Sequence, residues 1–167
     1  MEPNNSQQQF TGIIEKHKSL LFKVANMYCR NAEDRKDLLQ EIVLQLWRSF
    51  NNYNDAYQLS TWMYRVALNV SISFYRKQSK HRAQISSWHE AIIEWPDEPV
   101  NTETEANIKL LHQFIRELKE LDRALMLLYL EEKTHREMAD ILGITETNVA
   151  TKVGRIKEKL RERFGRV

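Results

Sequence analysis

Very little in this chain could carry covalent chemistry or hold a metal. Its 167 residues include one cysteine, four glycines and three prolines. A single cysteine excludes an internal disulfide framework, and no His or Cys pair stands at a metal-ligand spacing, so the fold has to rest on apolar burial. Four scattered glycines leave no glycine-rich phosphate loop. No run of about eighteen apolar residues exists, and the polar start MEPNNSQQQF lacks the basic-then-apolar order of an export signal. These absences together read as a cytoplasmic protein with no membrane insertion, no cofactor, no metal and no catalytic residues. Cys29 falls inside an apolar helical pattern and reads as a small core residue.

What is present is charge, unevenly placed. Residues 1–82 carry twelve Lys/Arg against seven Asp/Glu, residues 83–133 five against eleven, and residues 134–167 eight against five. A basic, acidic, basic order suggests two contacts with a polyanion and a connection between them that takes no part.

Apolar periodicity makes the chain all-α, as two small helical domains joined by a linker. Residues 1–9 read as a disordered tail. Residues 10–82 hold three helices. The first keeps Phe10, Ile13, Ile14, His17, Leu21, Val24 and Tyr28 on one face, with His17 as a half-buried packing residue. The second starts at Asn31 as N-cap, with Glu33 and Asp34 in the first turn, where the helix dipole favours acids. Leu38, Leu39, Ile42, Val43, Leu46 and Trp47 should face its core, leaving Asp37, Gln40, Glu41, Leu44 and Arg48 outside. A leucine among acids on an outer face suits a docking spot for a partner helix.

The third helix, STWMYRVALNVSISFYRKQSKHR from Ser60 as N-cap to Arg82, has two differently built faces. Met63, Val66, Ala67, Val70 and Phe74 form a core stripe. Trp62, Arg65, Asn69, Ile72 and Arg76 form a second line that ends among Lys77, Lys80, His81 and Arg82. Rings stack on bases, amides read base edges and cations neutralise phosphates, so the second line suits unpaired nucleic acid; a solvated helix whose Trp62 caps a neighbouring core stays open. Before it, Asn51, Asn52, Asn54 and Asp55 mark a loop, with Tyr53 and Tyr57 interleaved. Residues 83–104 lose all period and read as an acidic linker, and its Trp88, Ile92, Ile93 and Trp95 should dock on the flanking domains or in a partner's channel.

Residues 105–167 are helical again. Ile108, Leu111, Phe114, Ile115 and Leu118 form one stripe, and Leu121, Leu125, Met126, Leu128 and Tyr129 prolong it. A turn at Glu131 to Lys133 leads into a helix-turn-helix. Met138, Ala139, Ile141 and Leu142 line the first helix, Gly143 supplies the positive φ of a tight turn, Ile144 plugs the corner and Thr145 caps the second helix. The second helix buries Val149, Val153, Ile156, Leu160 and Phe164 and turns Thr147, Asn148, Thr151, Lys152 and Arg155 outward, where such a helix meets base edges and phosphates in the major groove.

Three motifs in this order, DLLQEIVLQLW (Asp37 to Trp47), STWMYRVALNVSISFYRK (Ser60 to Lys77) and LKELDRALMLLYLEEKTHREMADILGITETNVATKVGRIKEKL (Leu118 to Leu160), resemble bacterial sigma factors of the extracytoplasmic-function group. The resemblance implies a promoter-specificity subunit that binds core RNA polymerase, melts a subset of promoters and is held inactive by an anti-sigma factor. It implies that Asp37, Gln40, Glu41 and Leu44 dock on the β′ clamp helices, and that Trp62, Arg65 and Asn69 lie at the minus-ten melting surface, with Arg76 on the same line. It implies further that the Asn52 to Leu59 loop, Tyr57 included, holds a flipped base. Thr147, Asn148, Thr151, Lys152 and Arg155 would read the minus-thirty-five element, although Ala150 and Gly154 stand where many relatives carry larger side chains. A stand-alone helix-turn-helix regulator with an N-terminal sensor or dimerisation bundle is the alternative. An arrangement in which the two domains fold together and mask their DNA faces stays open.

Overall fold

The computed structural model describes residues 3–53, 57–84 and 103–165, with side chains from 5–53, 57–78 and 103–165. All its regular elements are helical: α1 Pro3–Tyr28, α2 Ala32–Ser49 with a short 3-10 turn Phe50–Asn52, α3 Leu59–Gln84, α4 Glu103–Glu117, α5 Glu120–Leu130, α6 His135–Leu142 and α7 Glu146–Phe164. The first helix starts earlier than expected: Pro3 to Gln9 are helical, not a loose tail. Proline suits a helix's first turn, glutamine is a good helix former, and buried Phe10 anchors the segment against Trp47 and Phe50 at ring separations of 5.0 and 5.5 Å.

Asn31 caps α2 as expected, its side chain accepting from the Asp34 amide at 2.7 Å. Leu38, Ile42 and Leu46 are fully buried and hold α2 against α1 and α3. Trp47 departs from its expected core position and is 42% exposed, because the ring lies on the edge of α2 and reaches toward Phe10. The α3 boundary also shifts. Gln58 O already accepts from the Trp62 amide at 3.2 Å, so Ser60 sits within the first turn and is not its cap. Along α3, Met63, Tyr64, Ala67, Leu68 and Ser71 are the buried positions, whereas Val66, Val70 and Phe74 are only half-buried. The core face is therefore rotated from the stripe expected, because α3 packs on two sides at once.

The second side is covered by the C-terminal helices. In α5, Arg123 to Leu128 are six consecutive buried residues, which marks a helix enclosed all round. On α4, Phe114 and Ile115 are buried as expected, but Ile108 is 49% exposed. A capping box starts α6: Thr134 accepts from the Glu137 amide at 3.1 Å and Glu137 accepts from the Thr134 amide at 2.7 Å. Gly143 closes α6 with φ 69°, in the left-handed region glycine favours, and Thr145 caps α7 by accepting from the Asn148 amide at 3.1 Å. Val149, Val153 and Ile156 then bury one face of α7, and Leu160 and Phe164 are half-buried beyond them. Thr134→Ala is expected to destabilise the chain by about 1 kcal/mol. The check is a lower urea midpoint with an unchanged slope.

The C-terminal helices seat directly on the N-terminal bundle, α6 and α5 on α3 and α4 and α5 on α1, in one continuous core. Trp88, Ile92, Ile93 and Trp95 lie outside the described residues.

Candidate nucleic-acid interface

Three of the expected surfaces have a definite geometry. On α3, Trp62 and Arg65 are half-buried, Asn69 and Arg76 exposed, and Ile72 half-buried between them. The Tyr53 ring stands 5.1 Å from Trp62, and the Tyr53 hydroxyl donates to Tyr57 O at 2.9 Å. The Arg65 guanidinium lies 5.2 Å above the exposed Tyr57 ring. Tyr53, Tyr57, Thr61, Trp62 and Arg65 enclose a cleft of about 120 Å³. Three π faces and a guanidinium around one small opening can stack on an unpaired base and neutralise its phosphate. Tyr53 and Thr61 were not among the expected site residues. The interleaved tyrosines were a partial signal for the first, and nothing in the sequence marked Thr61. Asn54, Asp55 and Ala56 lie outside the described residues, as do the side chains of Lys80, His81 and Arg82.

On α7, Thr147, Asn148, Thr151 and Arg155 are exposed and Lys152 half-buried, so the outward face is as expected. Two of these groups also serve the helix itself: the Asn148 amide goes to the Thr145 cap and the Thr151 hydroxyl donates to Thr147 O at 3.0 Å. Among the described residues, the side chains of Asn148, Lys152 and Arg155 make no intramolecular hydrogen bond or ion pair. At Gly154 an added Cβ would meet no atom within 4 Å, so this glycine is not required by packing.

On α2, Asp37, Gln40, Glu41 and Leu44 are all exposed on one face. Gln40 and Leu44 also line an open groove of about 1090 Å³ between α1 and α2, floored by Phe10, Phe22, Leu39, Val43 and Trp47. The exposure of Trp47 thus enlarges the apolar area beside the acids.

The seam between the two halves holds side chains that sequence alone did not connect. Arg65 donates to Asp140 O, Arg76 pairs with Glu120 at 3.5 Å and Lys23 with Glu131 at 2.9 Å. The Tyr28 hydroxyl donates to Glu120 O at 2.8 Å, and Lys133 lies 5.5 Å over the Tyr64 ring. Burial pushes the Tyr28 phenol up despite Arg123 beside it. Burial, with the Glu131 carboxylate nearby, pushes Tyr64 up to about 12 from its ordinary 10.0. Below pH 10 both folded and unfolded chains keep these protons. Above it the unfolded phenol ionises first, so stability should fall as pH rises from 10 to 12. The expected result is a lower urea midpoint at pH 11 than at pH 9, with a smaller drop in Tyr64→Phe.

The model of sigma-70 region 2 matches residues 13–81 and that of sigma-70 region 4 matches residues 108–160. The RNA polymerase sigma factor SigV of Bacillus subtilis (strain 168) is 24% identical over 149 residues, covering 89% of this chain and 86% of that protein. The ECF RNA polymerase sigma factor SigW of the same organism is 22% identical over 170 residues, covering 95% and 90%. Among solved structures, CnrH in complex with the cytosolic domain of CnrY superimposes with a TM-score of 0.67 at 16% identity, covering 95% of this chain and 89% of that one. The sigma factor RpoE of Bartonella quintana, in complex with the anti-sigma factor NepR, gives 0.68 at 16%, covering 93% and 96%.

Proposed function

The chain belongs to the extracytoplasmic-function group of sigma-70 factors, and on that premise we propose how its own residues divide the work of starting transcription. A sigma factor is a non-enzymatic initiation factor: it joins core RNA polymerase, recognises and melts a subset of promoters, and leaves nucleotide addition to the polymerase. Working beside polymerase puts the chain in the cytoplasm; among the described residues no helix is long and apolar enough to cross a membrane.

The residues 10–82 unit takes the minus-ten element. The observation that carries this reading is the cleft of Tyr53, Tyr57, Thr61, Trp62 and Arg65, with Asn69 exposed on the same helix. Flipping a base costs a few kcal/mol, offset here by stacking on the rings, while the Asn69 carboxamide meets a base edge and Arg76 a phosphate. The 105–167 unit takes the minus-thirty-five element through Thr147, Asn148, Thr151, Lys152 and Arg155, with readout concentrated on Asn148, Lys152 and Arg155. Asp37, Gln40, Glu41 and Leu44 fasten the chain to the β′ clamp helices. Residues 83–104 link the units. Control by an anti-sigma factor follows the precedent of RpoE with NepR.

The test is transcription from a matched promoter by core polymerase with and without the protein; equal transcript levels would discard the proposal. Asn69→Ala should cut open-complex formation roughly tenfold or more, the scale of one lost base-edge contact, with duplex retention by α7 unchanged. Permanganate reactivity of melted thymines is the readout, and an unaltered footprint removes Asn69 from the melting surface.

A further inference from the structure

Gly154 sits where neither its helix nor the core calls for a glycine. Glycine inside a helix is less favourable than alanine, yet α7 runs without a break from Glu146 through Gly154 to Phe164. Its φ is not positive, unlike that of Gly143. A Cβ at position 154 would meet no atom within 4 Å, so no neighbouring helix needs the space. The position is exposed. With Thr147, Thr151 and Glu158 it forms a line at i, i+4, i+7 and i+11, directly opposite buried Val149, Val153 and Ile156. Since the core holds the opposite face, this line goes deepest when α7 enters a major groove.

Thr151 supplies a reason for the missing side chain. Its hydroxyl donates to Thr147 O at 3.0 Å within the helix, so the proton is engaged, and the side chain offers a base its methyl group and oxygen lone pairs. In the major groove thymine is the base that presents a methyl group, and apolar contact with a threonine methyl is one way of reading it. That contact requires the helix backbone near the groove floor, because a threonine methyl stands only one bond beyond Cβ. A long side chain one turn further along the same line would hold the helix off. We infer that Gly154 is the clearance position of the recognition helix: it lets α7 approach the base edges closely enough for the Thr151 methyl to contact a thymine methyl. The inference rests on the assignment of α7 to duplex DNA and adds a specificity-determining pair to it. Asn148 and Arg155 flank the line and reach other base edges and phosphates from its side. Glu158, a carboxylate on the same line, is repelled by phosphates, which confines the close approach to the first half of α7.

The test uses the full chain bound to core polymerase. The probe is a fluorescein-labelled promoter duplex selected by that complex from a library randomised over the minus-thirty-five region. Gly154→Ala is expected to raise the urea midpoint of the free chain with an unchanged slope, since alanine is the better helix former and the space is empty. The same variant should bind the duplex roughly tenfold more weakly, the scale of one lost base contact. A glycine with a merely structural role would move stability and binding in the same direction. Replacing thymines one at a time by uracil removes the methyl alone. With the wild-type chain one such replacement should weaken binding roughly fourfold, the scale of one buried CH2 group. Thr151→Ser keeps the hydroxyl and loses the methyl, so it and Gly154→Ala should both be nearly indifferent to that replacement. Binding by Gly154→Ala as tight as wild type overturns the inference, and so does a flat uracil scan with the wild-type chain. Arg155→Ala tests the underlying reading separately. If it loses duplex binding while Gly154→Ala does not, α7 stays on the DNA and only the clearance falls; if it loses none, α7 is not the duplex reader and both fall.

Discussion

Asp37→Arg combined with Gln40→Ala is expected to lower affinity for core polymerase by about a hundredfold or more, with helix content and melting close to wild type. Both side chains are exposed on α2, and the face that holds the helix in place is Leu38, Ile42 and Leu46, which the variant leaves untouched. The fold therefore has little reason to change. Docking is different: removing one partner of a charge pair that becomes desolvated in a complex costs about 2–5 kcal/mol, and reversing its sign adds repulsion. Exposed Leu44 and the apolar groove that begins beside it would supply the uncharged remainder of such a docking surface. Retention of the variant on immobilised core polymerase is the measurement. Unaltered co-purification would remove this face from the polymerase contact.

Arg123→Ala is expected to be the most destabilising of the single substitutions discussed, by about 2–4 kcal/mol, because it leaves a void and strips buried and half-buried carbonyl acceptors of their donor. Met27 O, Arg116 O and Leu118 O all lose a partner, and the Tyr28 and Tyr75 rings lose the group between them. Arg123→Met should cost less. It fills most of the volume without a buried cation, and a well-packed apolar replacement of a buried charge is often tolerated. The Nε of Arg123, buried with no hydrogen-bond partner among the described residues, works in the same direction. Urea denaturation of the three proteins decides the matter. An alanine variant as stable as wild type would mean that the guanidinium contributes nothing to closing the seam.

The contrast between the three surfaces shows where sequence reasoning reached and where it stopped. The α7 face was legible because it depends on one helix: the period of Val149, Val153 and Ile156 assigns the inside, so Thr147, Asn148, Thr151 and Arg155 must be outside. The aromatic cleft was half legible. Trp62, Arg65 and Tyr57 stood out, but Thr61 entered only because the loop folds back and sets Tyr53 against Trp62. Trp47 and Ile108 were expected to be buried and are not, since each sits at the margin of its apolar stripe, where the shape of the neighbouring helix determines exposure.

Read alone, the order of residues determined the helices, the Asn31 and Thr145 caps, the left-handed turn at Gly143 and the basic-acidic-basic layout. Each of these depends on neighbours a few positions away, within reach of one or two helical turns. Only the tertiary structure decided that Arg123 lies buried with no paired carboxylate among the described residues, that Arg65 turns to Asp140 and that Lys23 meets Glu131. The last two contacts join residues 75 and 108 positions apart, and no local period records which distant surface will cover a given face.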